Sequence, residues 1–117
     1  MTLARYCAAP HLLVSPRGRP GSLVDDALAA LGKTRRISVA VPHFLVVPHI
    51  IAASDLVATL SSRIAELFTE PLGLVAMPPP VAIPKFQIAL AWHERNHHDA
   101  PHRWFRDQIL AVAAEIR

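Results

Sequence analysis

The chain has 117 residues, a length that fits one domain. Hydrophobic residues make up 52% of it and charged residues 18%, a composition that excludes a disordered tail and a fibrous repeat. Twelve Lys and Arg residues against nine Asp and Glu residues give a formal charge of +3, which is too small a surplus to indicate nucleic-acid binding by itself.

Strands and helices alternate in the pattern of the first two thirds of the chain. Short apolar runs that end at turn residues predict strands at residues 11–15, 37–41, 56–60 and 72–77. Apolar side chains at helical spacing predict helices between them, over residues 22–31, 44–53 and 63–69. This alternation is typical of a mostly parallel sheet that is covered by helices.

Local signals place the ends of the helices. Ser22, with Asp25 three residues later, predicts the start of the first helix, and Gly32 predicts its end. Pro48 is compatible with the second helix only in its first turn or two, because proline lacks an N–H group.

One stretch, residues 37–54, carries no formal charge over eighteen residues and has the length of a membrane span. Pro42 and Pro48 interrupt it, and its first five residues are rich in β-branched side chains. We therefore expect a buried strand followed by a buried helix, and no transmembrane segment. The first residues of the chain do not have the pattern of a targeting signal.

A proline-rich segment, residues 77–84, is the stiffest part of the chain and the best candidate for a linker. The apolar run at residues 85–92 predicts a fifth strand, of the interior type because both of its faces are apolar. Asp99 predicts the N-cap of a last helix with Pro101 in its first turn. The apolar stripe of this helix comprises Phe105, Ile109, Val112 and Ile116.

The predicted fold class is α/β: a three-layer, mostly parallel sheet with helices on both faces, plus a C-terminal βα unit. In such folds ligands bind at the carboxyl ends of the strands. The loop after the first strand contains Arg17, Gly18, Arg19 and Gly21 ahead of a capped helix, a composition that suits a carboxylate or a phosphate. The alternative interpretation is an ordinary turn, because the loop matches neither the P-loop nor the dinucleotide fingerprint.

His43 and Phe44 follow the second predicted strand. His43 could donate a hydrogen bond to a ligand there, or it could be satisfied by backbone groups. Phe44 could be a platform for a ligand or part of the core.

No catalytic or metal site is predicted. The stretch that contains His93, His97, His98 and His102 lacks the HExxH pattern, so we interpret it as a solvated loop. The lone Cys7 excludes an intramolecular disulfide, favours a cytosolic setting and has no base at a suggestive spacing. We expect no cofactor. The remaining clustered arginines are interpreted as solvated surface charge: Arg35, Arg36, Arg103 and Arg106.

Five segments resemble one known family when they are taken in order. They are PHLLVS ending at Ser15, VDDAL ending at Leu28, RISVAVPHF ending at Phe44, SDLVAT ending at Thr59, and the pair WH and HRW at residues 92–104. Together they resemble the C-terminal effector-binding region of LysR-type bacterial transcriptional regulators, closest to the nodulation and the nitroaromatic- or salicylate-responsive branch. The resemblance extends over residues 10–115.

The resemblance implies a periplasmic-binding-protein-like fold in which a small effector, often an aromatic acid, binds between two subdomains. Residues 10–82 would form the second subdomain, and residues 83–117 would be the hinge and a βα unit that returns to the first. The winged helix-turn-helix and most of the first subdomain have no counterpart in this chain. DNA binding would therefore need a missing N-terminal domain.

The family's effector site corresponds to three places in this sequence. The loop after the first strand contributes Ser15, Arg17, Gly18, Arg19 and Gly21, the connection after the second strand contributes Pro42, His43 and Phe44, and the returning strand contributes Ile88. The resemblance thus predicts a cytoplasmic, non-enzymatic effector sensor. The alternatives are a periplasmic-type solute-binding fragment and a small metal-binding or hydrolytic α/β protein.

Self-association is expected through residues 85–117. In the arrangement that the resemblance implies, the neighbours of the fifth strand and of the last helix belong to the missing first subdomain. Leaving several large apolar side chains in water forfeits about 1.5–3 kcal/mol each, so either this segment folds back onto residues 10–82 or a second copy covers it. The stiff prolines of residues 78–84 discourage a tight return, so we expect a second copy.

Overall fold

The computed structural model describes residues 1–16, 18 and 21–115. The chain divides into two compact units, Met1–Pro84 and Lys85–Arg117. In the first unit the helices α1 to α4 are Leu3–Ala8, Leu23–Ala29, Val47–Ala52 and Ser62–Thr69. Its strands β1 to β3 are Pro10–Val14, Arg36–Val41 and Val57–Ala58, and the second unit contains α5, Ala100–Glu115.

The three strands form one parallel sheet in the order β2, β1, β3. Pro10 lies opposite Arg36 and Val14 opposite Val41, with a register irregularity between His11 and Leu12. β1 is the central strand, and Leu12 is 2% exposed. The mixed α/β class with a parallel sheet is therefore confirmed.

The core of the first unit gathers residues that lie far apart in sequence. Tyr6 of α1, Val24 and Leu28 of α2, and Val81 of the proline-rich segment form one buried cluster. Leu3, Cys7, Ala27, Val57 and Ile83 pack against it. α1 was not expected from the sequence; Thr2 caps it by accepting a hydrogen bond from the Arg5 N–H at 3.3 Å.

Several predicted helix ends are confirmed. Ser22 is the N-cap of α2, and its hydroxyl accepts from the Asp25 N–H at 3.4 Å. Gly32 has a φ of 63°, which lets the Lys33 N–H donate to the Leu28 carbonyl at 2.9 Å and close the end of the helix. Pro48 lies in the first turn of α3. The Asp99 carboxylate accepts from the His102 N–H at 2.9 Å at the start of α5.

Two predicted strands are wrong. Residues 72–77 and 85–92 contain no strand, and β3 is shorter than expected. A strand exists only when its backbone groups pair with a neighbour. The prolines at residues 78–80 supply no donors next to the first segment, and Ile88 in the second is 89% exposed.

The predicted burial of the second strand is also wrong. β2 lies at the edge of the sheet, and its residues are exposed except for the half-buried Val41. A parallel strand becomes buried only where further elements cover it, and the apolar pattern of residues 37–41 cannot show whether they are present. Within residues 1–16, 18 and 21–115, no helix is long and apolar enough to cross a bilayer.

The second unit is organised around Arg106 of α5. Its guanidinium donates to the carbonyls of Asn96 and His97 at 3.1 and 3.0 Å, and it stacks on Trp92 with 4.5 Å to the ring centroid. Arg106 is 6% exposed, so its interpretation as a surface charge is wrong. These bonds hold the segment before α5 against the helix.

The core cluster generates a stability prediction. Leu28 is fully buried, so Leu28→Ala is expected to lower the free energy of unfolding by about 2–5 kcal/mol through lost apolar burial and a cavity. Leu31→Ala is the matched control, because Leu31 is 53% exposed and should change stability by less than about 0.5 kcal/mol. Urea unfolding followed by circular dichroism measures both. Equal losses would contradict the assignment of the core.

Candidate functional site

The carboxyl ends of β1 and β2 lie side by side. The Ser15 N–H donates to the Val41 carbonyl at 2.8 Å, which continues the ladder one residue beyond β1. The Gly18 N–H then donates to the Ser15 carbonyl at 3.0 Å and turns the chain. Residues 42–44 follow Val41 directly, so the parallel register brings the start of one predicted ligand segment next to the start of the other.

The predicted site residues of this edge are mostly accessible. Pro42 and His43 are exposed and Ser15 is half-buried. Phe44 is 46% exposed at the start of the 3-10 turn Phe44–Val46. Gly18 and Gly21 are exposed and have φ angles of 65° and 96°, which favour glycine. The exposed ring contradicts the alternative that Phe44 belongs to the core.

Three further predicted site residues are Arg17, Arg19 and Ile88. Arg17 and Arg19 lie outside the described residues. Ile88 belongs to the second unit. Its assignment to the effector site rests on the resemblance alone.

Acidic side chains already occupy the start of α2. Asp25 and Asp26 both lie in its first turn. Carboxylates at this position satisfy the positive end of a helix and oppose a second anion. An anionic ligand at this edge would therefore depend on cations of the loop.

A polar network lies near the amino-terminal ends of β1 and β2, and sequence reasoning missed it. We call it the Arg35 network; its members are Tyr6, His11, Ser22, Asp25 and Arg35. The Arg35 Nε donates to Asp25 Oδ1 at 2.7 Å, and the Arg35 side chain is 2% exposed. Arg35 was interpreted as a surface charge, and that interpretation is wrong.

The other guanidinium nitrogens of Arg35 reach three further side chains. Nη2 donates to Asp25 Oδ2 at 3.2 Å and to the Ser22 hydroxyl at 3.1 Å. Nη1 donates to the Tyr6 hydroxyl at 3.4 Å and faces His11 Nδ1 at 3.3 Å. One sequence pattern could have indicated this ion pair. Asp25 lies at the start of a predicted helix, and the oppositely charged Arg35 lies just before the next predicted strand.

The bonds of His11 define its tautomer. Nε2 is 2.7 Å from the Tyr6 carbonyl, which can only accept, so Nε2 carries the proton. Nδ1 faces the Arg35 guanidinium, which can only donate, so Nδ1 is the acceptor. The ring also packs edge-on against Tyr6 with centroids 4.6 Å apart. A second proton would place two donors against each other.

The network shifts two pKa values. Burial lowers the pKa of His11 below 6.5 and outweighs the hydrogen bond to the Tyr6 carbonyl, which would raise it. The nearby charge of Arg35 lowers this pKa further. Burial alone would raise the pKa of Asp25, but the hydrogen bonds from Arg35 and Ser22 outweigh it and hold that pKa below 3.8. Neutral His11 and ionised Asp25 are thus the forms that the fold favours.

An apolar cavity of about 250 Å³ lies elsewhere in the first unit. Its lining residues include Tyr6, Ile51, Thr59, Phe68, Leu74 and Met77. The Tyr6 hydroxyl, which is bonded to Thr59 Oγ1, connects its wall to the Arg35 network. Among the predicted effector residues that the structure describes, none lines this cavity.

The histidines of the second unit are engaged with neighbouring side chains. The Trp92 indole N–H donates to His97 Nδ1 at 3.3 Å, and the two rings are stacked. The Arg106 guanidinium donates to His102 Nδ1 at 2.8 Å. In the part of the chain that the structure describes, no three His, Cys, Asp or Glu side chains are grouped so that they could hold a metal ion.

Comparison with known proteins identifies the class. The family described as the LysR substrate binding domain matches residues 1–114, which is nearly the whole chain. The regulatory domain of MexT, a transcriptional activator in Pseudomonas aeruginosa, superimposes with a TM-score of 0.80 at 35% identity, covering 93% of this chain and 55% of that domain. The fold is that of an effector-binding domain of transcriptional regulators.

The chain belongs to the LysR substrate-binding domain family. It is 39% identical over 110 residues to the HTH-type transcriptional activator NahR of Pseudomonas putida, covering 94% of this chain and 37% of NahR. It is 35% identical over 116 residues to the regulator SyrM of Rhizobium meliloti, covering 97% of this chain and 35% of SyrM. The chain thus spans little more than a third of the length of these relatives.

The Arg35 network generates a prediction about pH. The folded-state pKa of His11 lies below 6.5, so as the pH falls the His11 ring is protonated in the unfolded chain before it is protonated in the folded chain. The contribution of His11 to stability is therefore present above about pH 6.5 and is lost as the pH falls below it. The stability advantage of the wild type over His11→Gln should therefore narrow between pH 7.5 and 5, by at most about 1.4 kcal/mol per pH unit.

The measurement is urea unfolding at several pH values. His49→Gln is the control for the replacement of a histidine by glutamine, because His49 is exposed on α3. If the difference in unfolding free energy between wild type and His11→Gln is the same at every pH in this range, the prediction that the fold keeps His11 neutral is wrong.

Proposed function

We propose that the chain is the effector-sensing part of a LysR-type regulator and binds a small aromatic or carboxylate effector at the carboxyl edge of β1 and β2. The observation that carries this proposal is the 2.8 Å bond from the Ser15 N–H to the Val41 carbonyl. It brings Ser15, the first residue of the loop, next to Val41, which residues 42–44 follow directly. This edge is where ligands bind in parallel α/β sheets.

The residues at this edge suit an aromatic acid. The accessible Phe44 ring offers an apolar face to an aromatic ligand, and the adjacent His43 offers hydrogen bonds. Arg17 and Arg19 in the loop supply the cations that a carboxylate requires. A short, glycine-rich backbone at Gly18 and Gly21 allows a ligand to approach closely.

Sensing in such a domain is differential binding. An effector that favours one arrangement of the effector-binding region biases whatever is attached to it. We place DNA binding in a part of the protein outside this chain, assign no catalytic step and no cofactor to the chain, and propose the bacterial cytoplasm as its location, because its relatives are transcriptional regulators.

The first test is a titration with benzoate, the simplest aromatic carboxylate, followed by the amide NMR signals of Gly18 and Gly21. We expect both signals to move, with a Kd of about 1 mM or weaker, because a partial site forms few contacts. Phe44→Ala should weaken the binding by about threefold or more. Leu67→Ala is the control, since it removes an exposed apolar side chain of α4 and should have no effect.

Uncharged benzamide separates the two parts of the proposal. If benzamide binds as well as benzoate, the site does not recognise a carboxylate. If neither compound moves the signals of Gly18 and Gly21, the proposed effector site is wrong.

We also propose that residues 85–117 mediate self-association with a second copy of the chain. Large apolar side chains of this unit are exposed: Ile88 by 89%, Trp104 by 64%, Phe86 by 62%, and both Phe105 and Val112 by 57%. Exposed apolar groups of this size on one unit are typical of an interaction surface.

Size-exclusion chromatography with light scattering tests the association over a hundredfold range of concentration. We expect the apparent mass to rise with concentration, because burying these side chains against a copy removes them from water. Phe105→Glu should shift the equilibrium towards the monomer, whereas Leu67→Glu on the first unit should not. A monomer at all concentrations would overturn this proposal.

A further inference from the structure

We propose that Arg35 is a positioning residue for the effector-binding edge. Its guanidinium holds the start of α2, where the loop of residues 15–21 ends, in a fixed position relative to β1. The inference rests on the proposed function, since it concerns how that same edge keeps its shape. Arg35 itself lies before β2 and contributes no group to the exposed edge.

One side of the Arg35 guanidinium faces the start of α2. The N-cap residue Ser22 follows the loop directly, and Asp25 lies in the first turn. Arg35 donates three hydrogen bonds to these two side chains, at 2.7 to 3.2 Å. The Ser22 hydroxyl in turn donates to Asp25 Oδ2 at 2.7 Å. The C-terminal end of the loop is therefore fixed from several directions.

The other side of the same guanidinium faces β1 and α1. Nη1 reaches His11 of β1 at 3.3 Å and the Tyr6 hydroxyl of α1 at 3.4 Å. The N-terminal end of the loop is held to β2 by the bond between Ser15 and Val41. One planar cation thus connects the strand before the loop to the helix after it.

The guanidinium of Arg35 fixes the positions of its partners more than it adds to the net stability of the fold. A buried ion pair contributes little net stability, because desolvation offsets most of the attraction, and apolar residues can pack such a position as well. A guanidinium with fixed donor directions does what apolar packing cannot, since it specifies one relative position of its partners. Here the partners are Ser22 and Asp25 just after the loop, His11 on the strand that leads into it, and Tyr6 on α1.

The consequence is a loop whose two ends are held at a set separation before any ligand arrives. A binding surface that is already in its bound shape loses less free energy on binding than one that must be ordered. Lysine at this position would keep the charge but has a single ammonium group, which cannot span Asp25, Ser22 and His11 together.

The test uses the 117-residue chain and two pairs of variants, with the amide NMR signals of Gly18 and Gly21 as the reporter. Arg35→Lys and Ser22→Ala should move these signals in the absence of ligand and weaken benzoate binding by about threefold or more. Ser22→Thr retains the hydroxyl and should restore both properties. Val24→Ala is the stability-matched control, because it truncates a buried side chain of α2 that makes none of these bonds.

Each outcome decides the inference. If Val24→Ala shifts the glycine signals and weakens benzoate as much as Arg35→Lys does, the role of Arg35 is only structural and the inference is wrong. If Ser22→Thr fails to restore what Ser22→Ala loses, the network does not act through the Ser22 hydroxyl, which also overturns it.

The experiment gives a different result if the proposed effector binding is wrong than if the role of Arg35 is wrong. If benzoate leaves the wild-type signals unchanged, the effector proposal fails, but the ligand-free signals still report on Arg35. In that case signals that move in Arg35→Lys and Ser22→Ala, and not in Val24→Ala, support the positioning role. Signals that do not move in the ligand-free variants contradict it.

Discussion

The parallel pairing of β1 with β2 is the constraint on which the rest of the first unit depends. β1 is buried, so its backbone groups must find partners within the protein, and β2 and β3 supply them. Parallel pairing directs both carboxyl ends to the same edge of the sheet. The loop after Val14 and the connection after Val41 consequently start next to each other, although they are far apart in sequence.

A second constraint is the polar content of the core. His11 is fully buried on the central strand and would be costly there without partners. The carbonyl of Tyr6 and the guanidinium of Arg35 satisfy both ring nitrogens, and Asp25 balances the charge of Arg35. The apolar cluster around Leu28 provides the burial, whereas the Arg35 network determines how α1, α2 and β1 are placed relative to one another.

The two units differ in how they satisfy their apolar side chains. The first has a buried cluster that draws on α1, α2 and the proline-rich segment. The second is held by the contacts of Arg106 with Trp92 and with backbone carbonyls, and large apolar side chains of α5 remain exposed.

The sequence by itself determined the α/β class, the ends of α2 at Ser22 and Gly32, the N-cap at Asp99 and the family, because these depend on local residue patterns and on an ordered set of segments. Pairing and burial were decided only by the tertiary structure. Residues 72–77 and 85–92 have strand-like patterns but no ladder partner, and β2 is apolar but lies at an edge. Arg35 and Arg106 look like surface charges in the sequence, yet both are buried. Their partners come from other segments of the chain, and a pattern of neighbouring residues carries no information about contacts over such distances.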